Sequence, residues 1–250
     1  MVRAMFVRDH GRGVPVVHLH GGWGYEIYSA QRQIDALPDV RFVIPDRTGY
    51  GRSPPLAELP PRFHEAAAIE TEGVIDRLGL GRCMLWGHSD GAVIAVIAAL
   101  RAPERYAGIV VEALHLDRVK PRSREFFTMM AEAPERFGER VVSVLRADHG
   151  ERWADVLRMG GRAWLRIAAT PDDDFFDHRL GELAVPTLAI HGADDPRTEP
   201  GELDRLRREV PHARIEMVAG AGHCPHAERR SSDNVTELLG NFVSEIRTRF

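Results

Sequence analysis

Three short segments of this 250-residue chain carry residue types that together can attack a carbonyl carbon. The first is Gly87-His88-Ser89-Asp90-Gly91, preceded by the apolar run Arg82-Cys83-Met84-Leu85-Trp86 and followed by Ala92-Val93-Ile94-Ala95-Val96. Gly-x-Ser-x-Gly between a strand and a helix lets the two backbones approach closely and holds the serine hydroxyl out at the end of a sheet, beside the positive end of a helix. A serine hydroxyl is a poor nucleophile at neutral pH and needs a base, usually a histidine oriented by a carboxylate. On such a turn the chain order is serine, then Asp or Glu, then His. The second segment, Val185 to Asp195, reads as a buried strand ending in a turn with two carboxylates, Asp194 and Asp195. The third, Ala219-Gly220-Ala221-Gly222-His223, puts a histidine on a glycine-rich loop after the last strand.

The elements that must position these residues are short apolar runs alternating with longer helical patterns, the signature of a parallel sheet covered on both faces. Strands are expected at Ala4–Arg8, Val14–His20, Arg41–Pro45, Cys83–Gly87, Ala107–Ala113, Thr187–His191 and Arg214–Val218. Helices are expected at Tyr25–Leu37, Arg62–Leu78, Asp90–Arg101, Pro200–Glu209 and Ser231–Thr248. From Asp117 to Leu183 no strand is convincing, and Ser123–Ala133, Pro134–Ala147 and Glu151–Ala169 read as helical. That stretch is too long for a bare connection, so it is expected to be a helical insertion, over the carboxyl ends of the strands where open α/β sheets bind ligands.

Together with His20-Gly21-Gly22-Trp23-Gly24 and Pro45-Asp46-Arg47-Thr48-Gly49-Tyr50-Gly51-Arg52-Ser53, these segments resemble the landmarks of the α/β-hydrolase superfamily, in the family's order. The resemblance implies an α/β fold: a mostly parallel sheet of seven or eight strands with helices on both faces. It also implies a core of residues 1–116 and 184–250 with a small helical cap at 117–183. Members usually open with two antiparallel strands, whereas one run precedes Val14–His20 here, so seven strands are expected. By resemblance the catalytic residues are Ser89, Asp195 and His223, with Asp194 as the alternative acid. The oxyanion hole is implied at the backbone amides of Asp90 and Gly22, with Trp23 as the alternative to Gly22. His20 is a candidate brace for that loop, while His18, His88 and His191 read as packing or loop residues and His226 as a surface or loop residue.

Candidate substrate contacts are Trp23, Asp90, Trp153 and Trp164, with Phe126, Phe127, Met129 and Met130 nearby in the sequence of the insertion. The aromatic and Met residues equally suit packing of the insertion onto the body. Asp90 either complements the N-terminus of the following helix or attracts a cationic group on the substrate. Gly-x-Ser-Asp-Gly resembles the elbow of hydrolases of amino-acid esters, which favours weighing the second role. The implied activity is hydrolysis of a small-molecule carboxylic ester or thioester through an acyl-enzyme. Amide or aminoacyl-ester hydrolysis, carbon–carbon bond hydrolysis and cofactor-free perhydrolysis reuse the same residues, and a non-catalytic ligand-binding member is the alternative of another class. A serine at the elbow argues against a haloalkane dehalogenase, where an aspartate nucleophile is expected.

Composition narrows the field. The net charge is −4, with 44% apolar and 28% charged residues, so no basic field suits nucleic acid. Twelve histidines show no His-Glu-x-x-His or other metal pattern, and no metal or cofactor is expected. Met1–Arg8 is too short and charged for a signal peptide, and Ala92–Leu100 is too short to span a bilayer. The expectation is a cytoplasmic protein without membrane contact, its oligomeric state open. Cys83 and Cys224 need not pair.

Overall fold

A computed structural model describes residues 5–170 and 174–249. Seven strands form one sheet: β1 (Val7–His10), β2 (Val14–Leu19), β3 (Val40–Pro45), β4 (Cys83–His88), β5 (Tyr106–Glu112), β6 (Thr187–Gly192) and β7 (Arg214–Val218), in the order β1-β3-β2-β4-β5-β6-β7. Only β1 runs antiparallel, pairing Val7 with Pro45 and His10 with Phe42 of β3. The expected first strand, Ala4–Arg8, is displaced towards the C-terminus, and Ala4 lies outside the described residues. Asp9 and His10 read as a stop because they are polar, but an edge strand can expose polar side chains. Of the acidic run at 172–174, Asp172 and Asp173 also lie outside the described residues.

Alternation along the strands sends successive side chains to opposite faces. Val16, Phe42, Met84, Trp86 and Val110 pack with α8 (Ser232–Ile246) on one face. Val17, Val43, Leu85, Ile109 and Val111 pack on the other against α2 (Phe63–Arg77) and α3 (Asp90–Arg101). The expected helix Tyr25–Leu37 is instead a 3₁₀ turn, Glu26–Tyr28, and α1 (Gln31–Ala36). The break has one distant and one local cause: the Tyr28 carbonyl accepts the His226 Nε2–H at 2.8 Å, and Ser29 Oγ accepts the Gln31 amide. Between β5 and β6 lie α4 (Arg124–Glu132), α5 (Glu139–His149) and α6 (Trp153–Ala168); α7 (Glu202–Glu209) follows β6. Cys83 and Cys224 are both buried and unpaired. No helix among the described residues is long and apolar enough to cross a membrane.

Candidate active site

The chain leaves β2 towards β3 on one side and β4 towards β5 on the other, so their carboxyl ends open a crevice at the point where strand order reverses. Ser89 follows β4 there. Its backbone lies at φ 55 and ψ −116, a conformation that costs a non-glycine residue about 1–3 kcal/mol. It is held by its N–H donating to the Glu112 carbonyl (2.9 Å) and by its carbonyl accepting the amides of Ala92 and Val93. The flanking glycines have a steric reason: a Cβ on Gly87 would stand 2.1 Å from the Gly91 carbonyl oxygen, and one on Gly91 would stand 1.9 Å from that of Leu19. As the first residue of α3, Asp90 has an N–H with no intrahelical acceptor.

His223 Nδ1–H donates to Asp195 Oδ2 at 2.8 Å. Asp195 also accepts the Arg197 amide on Oδ1 (2.9 Å) and the Thr198 hydroxyl on Oδ2. Asp194 is exposed, and the carboxylate facing His223 is therefore that of Asp195. Burial pushes the Asp195 carboxyl up, but the His223 bond and charge, with Arg197, more than offset this and hold it well below the usual carboxylate range. Burial and the Arg197 charge press the His223 imidazole below its ordinary value, against the opposing pull of Asp195. Its Nε2 has no hydrogen-bond partner among the described residues, which leaves a lone pair on a neutral ring.

The Ser89 hydroxyl is bonded elsewhere. Its Oγ lies 3.3 Å from Nε2 of His115, whose ring stacks on His223 with centroids 5.5 Å apart and planes 18° apart. His115 carries no sequence motif; its only signal is its place just beyond β5, on the carboxyl edge of the sheet. Ala113, in the left-handed region at φ 51, turns the chain there. Burial, then the charges of Lys120, His223 and Arg197, keep His115 neutral well below its ordinary value.

The loop after β2 is braced by His20. Its Nδ1–H donates to the Gly21 carbonyl (2.8 Å) and its Nε2 accepts the Arg47 amide (3.1 Å), while the Arg47 guanidinium donates to the same Gly21 carbonyl (2.8 Å). In a trans peptide the next N–H points opposite to that carbonyl, so these two donors orient the Gly22 amide.

Asp90 is built into the protein's own charge network. Oδ1 accepts the Nε1–H of Trp164 (3.0 Å) and the Nε2–H of His64 (3.2 Å), and Oδ2 faces Arg47 at 3.4 Å. Burial pushes this carboxyl up, yet bonds and charge from His64, Arg47 and Trp164 bring it below the usual range. A freely presented carboxylate, as a role in cation recognition would need, is not what these contacts make. Trp164 stacks on Phe127 (5.0 Å, 4°) and meets His115 edge-on at 5.1 Å. Trp23 stacks on Phe126 (5.5 Å, 7°) and donates its Nε1–H to Met130 Sδ. Trp153 begins α6 beneath the Arg146 guanidinium, and no described contact links it to Ser89, His115 or His223. Ser89 is only 8% exposed under this aromatic cover. Two clefts of about 510 Å³ lie away from it, one along α4 and α6 and one lined by Arg47, Phe63 and Arg166.

His226 was expected at the surface or in a loop. It is fully buried, because Nδ1–H and the backbone N–H both donate to Glu112 Oε1 (2.8 and 3.0 Å). Burial lowers the imidazole, but Glu112 outweighs burial and raises it. With both ring nitrogens facing acceptors, the ring is an imidazolium paired to a carboxylate. The pair ties the end of β5 to the His223 loop, whose carbonyl at His223 also accepts the His88 Nε2–H (3.0 Å).

The alpha/beta hydrolase family profile matches residues 16–235. The chain belongs to the alpha/beta hydrolase family. It is 36% identical to the proline iminopeptidase of Neisseria gonorrhoeae, over 85% of this chain and 83% of that protein. It is 27% identical to the sn-1-specific diacylglycerol lipase ABHD11 of Mus musculus, over 90% and 80%. A malate-bound thermophilic esterase from Thermogutta terrifontis superposes with a TM-score of 0.73 at 25% identity, covering 97% of this chain and 94% of the other. These relatives and structural neighbours of this alpha/beta hydrolase are themselves hydrolases.

One further group positions the hydrolase site. Glu202, at the start of α7, pairs with Lys120 in a buried ion pair, and its Oε1 accepts the amides of Leu116 (2.7 Å) and Asp117 (2.9 Å) while Oε2 accepts that of Glu199 (2.7 Å). One carboxylate thus fastens the His115 loop to the Asp195 loop. Glu202→Gln leaves a buried ammonium uncompensated and is expected to cost about 3–5 kcal/mol. Thermal melts read the loss, and Lys120→Met in the same chain should recover part of it.

Proposed function

We propose that this hydrolase cleaves small-molecule carboxylic esters or thioesters through an acyl-enzyme on Ser89. The observation carrying the reading is the strained serine at the end of β4 with a neutral histidine, already bonded to a carboxylate through Nδ1, on the neighbouring loop. Ser89 turns from His115 towards the unpartnered Nε2 of His223, gives up its proton there, and attacks the carbonyl carbon. Asp195 stabilises the imidazolium that forms. The amides of Asp90 and Gly22 bind the oxyanion, and a donor of this kind contributes about 2.7–4 kcal/mol. His223 then protonates the leaving alcohol or thiol, and water activated by the same ring releases the acid. The reading divides the chain into a core of residues 1–116 and 184–250 and a helical cap at 117–183. Trp164 and Trp23 support that division, since they carry the contacts of α4 and α6 to Asp90 and to the glycine loop.

A screen of 4-nitrophenyl esters, thioesters, aminoacyl esters and 4-nitroanilides tests it, run beside Ser89→Ala and beside fluorophosphonate labelling. Turnover of the oxygen and thiol esters above the anilides, lost in Ser89→Ala, is the expected result. Preferential turnover of anilides would move the assignment to amide cleavage, and failure of Ser89 to label would leave a binding protein on the same fold.

A further inference from the structure

Arg197 stands two residues beyond Asp195, and its backbone N–H is bonded to that carboxylate at 2.9 Å. Its guanidinium lies 3.8 Å from the ring centroid of Phe126, the same ring that stacks on Trp23. Tyr28 joins this group, stacked with Trp23 at 6.1 Å and edge-on to His88 at 5.4 Å. The charge reaches the site, since it bears on the ionisation of His223 and His115, and the guanidinium also hydrogen-bonds the Tyr28 side chain.

Arg197 differs from several other arginines whose charges are paired. Arg47 faces Asp90, Arg8 faces Asp46 and Glu26, and Arg205 faces Asp174 and Glu209. Among the described residues no carboxylate forms an ion pair with the Arg197 guanidinium. The acids around the site are committed: Asp195 to His223, Glu112 to His226, and Asp90 to His64, Trp164 and Arg47. A half-buried guanidinium stacked on an aromatic ring presents a rigid fork of donors matched to a carboxylate.

We propose that Arg197 is the specificity-determining residue of this site, and that it binds a carboxylate carried by the substrate, so that the preferred ester is anionic. The proposal rests on the ester-hydrolase reading for its chemistry and on Arg197 alone for its charge. It reverses the sign of substrate that Asp90 suggests in sequence, because the Asp90 charge is spent on Arg47 and the Arg197 charge is not.

The test measures kcat/KM by pH-stat on matched pairs. Monoethyl succinate and monoethyl adipate against ethyl butyrate and ethyl hexanoate put the carboxylate on the acyl side; 4-acetoxybenzoate against phenyl acetate puts it on the alcohol side. In at least one arm the wild type should favour the anionic ester by about tenfold or more, the scale of one charge-assisted bond. Arg197→Gln should erase that preference, mainly through KM, so that the anionic and neutral members of each pair come within about threefold of each other, and Arg197→Lys should restore part of it. Equal rates in both arms, or a preference that survives Arg197→Gln, would overturn the proposal. Binding is read separately: adipate should raise the Tm of the wild type and of Ser89→Ala, but not of Arg197→Gln. That shift without turnover of any ester would keep the Arg197 assignment and sink the ester reading; no shift and no preference would sink the assignment.

Discussion

Alanine at Ser89 or at His223 is expected to lower kcat on an activated ester by roughly 10⁶, because nucleophile and base act as one unit. Asp195→Ala should cost roughly 3 × 10⁴, since the imidazole remains but loses its orientation. His115 separates this account from its rival. Its Nε2, not that of His223, touches the Ser89 hydroxyl, so geometry alone would name it the base. Among the described residues no carboxylate is bonded to it, however, and burial followed by the Lys120 charge keeps it a weak base. His115→Ala is therefore expected to stay within about tenfold of wild type, the worth of one hydrogen bond. A loss near that of His223→Ala would reassign the base. The pH profile gives a further check: His223 must be neutral to act, and its value is pressed down by burial and Arg197. Activity should thus persist below the ordinary histidine value of about 6.5 and fall only at lower pH.

The second large effect is loss of stability in mild acid. Seven buried histidines, His18, His20, His64, His88, His115, His191 and His223, are held below their ordinary value, each chiefly by burial. A depressed folded value means that the unfolded chain binds protons the native one refuses. The stabilisation is therefore complete above about pH 6.5 and is lost as pH falls below it. Each such histidine steepens the fall by up to about 1.4 kcal/mol per pH unit until its own folded value is reached. For His191 that value is pushed down to about 4. His226 has the opposite sign: its folded value is raised, so its contribution is full in acid and fades only at higher pH. Melting at pH 7.5, 6.5 and 5.5 should show a Tm drop of about 10 °C or more across the range. His191→Leu removes a ring whose two nitrogens are both buried without partners among the described residues, and it should flatten the slope by one proton. A Tm constant over that range would refute the assignment of neutral histidines.

The five inner strands were legible from apolar runs bounded by turns, because burial on both faces demands near-continuous hydrophobicity. α3 was legible to its ends, since the Gly-x-Ser-x-Gly turn marks where the strand must stop. β1 was misplaced because an edge strand has no such demand, and the Tyr25–Leu37 helix broke because His226, nearly 200 residues away in sequence, takes the Tyr28 carbonyl. Local pattern cannot register a partner that distant. The placing of His226 failed for the same reason, since its imidazolium is tolerated inside only because Glu112 from β5 meets it there.

By itself the sequence determined the order of the candidate residues along the chain: a serine on a tight strand-to-helix turn, then an acid, then a histidine. Those features are local, set by glycines that must let backbones touch and by apolar runs that must be buried. The tertiary structure alone decided where charge is spent. It joined Asp90 to Arg47, His64 and Trp164, set His115 rather than His223 against the Ser89 hydroxyl, paired Glu202 with Lys120, and left the Arg197 guanidinium without an ion pair among the described residues. Charges compensate through space, between side chains tens to hundreds of residues apart, and a linear pattern records each charge but not which of them meet.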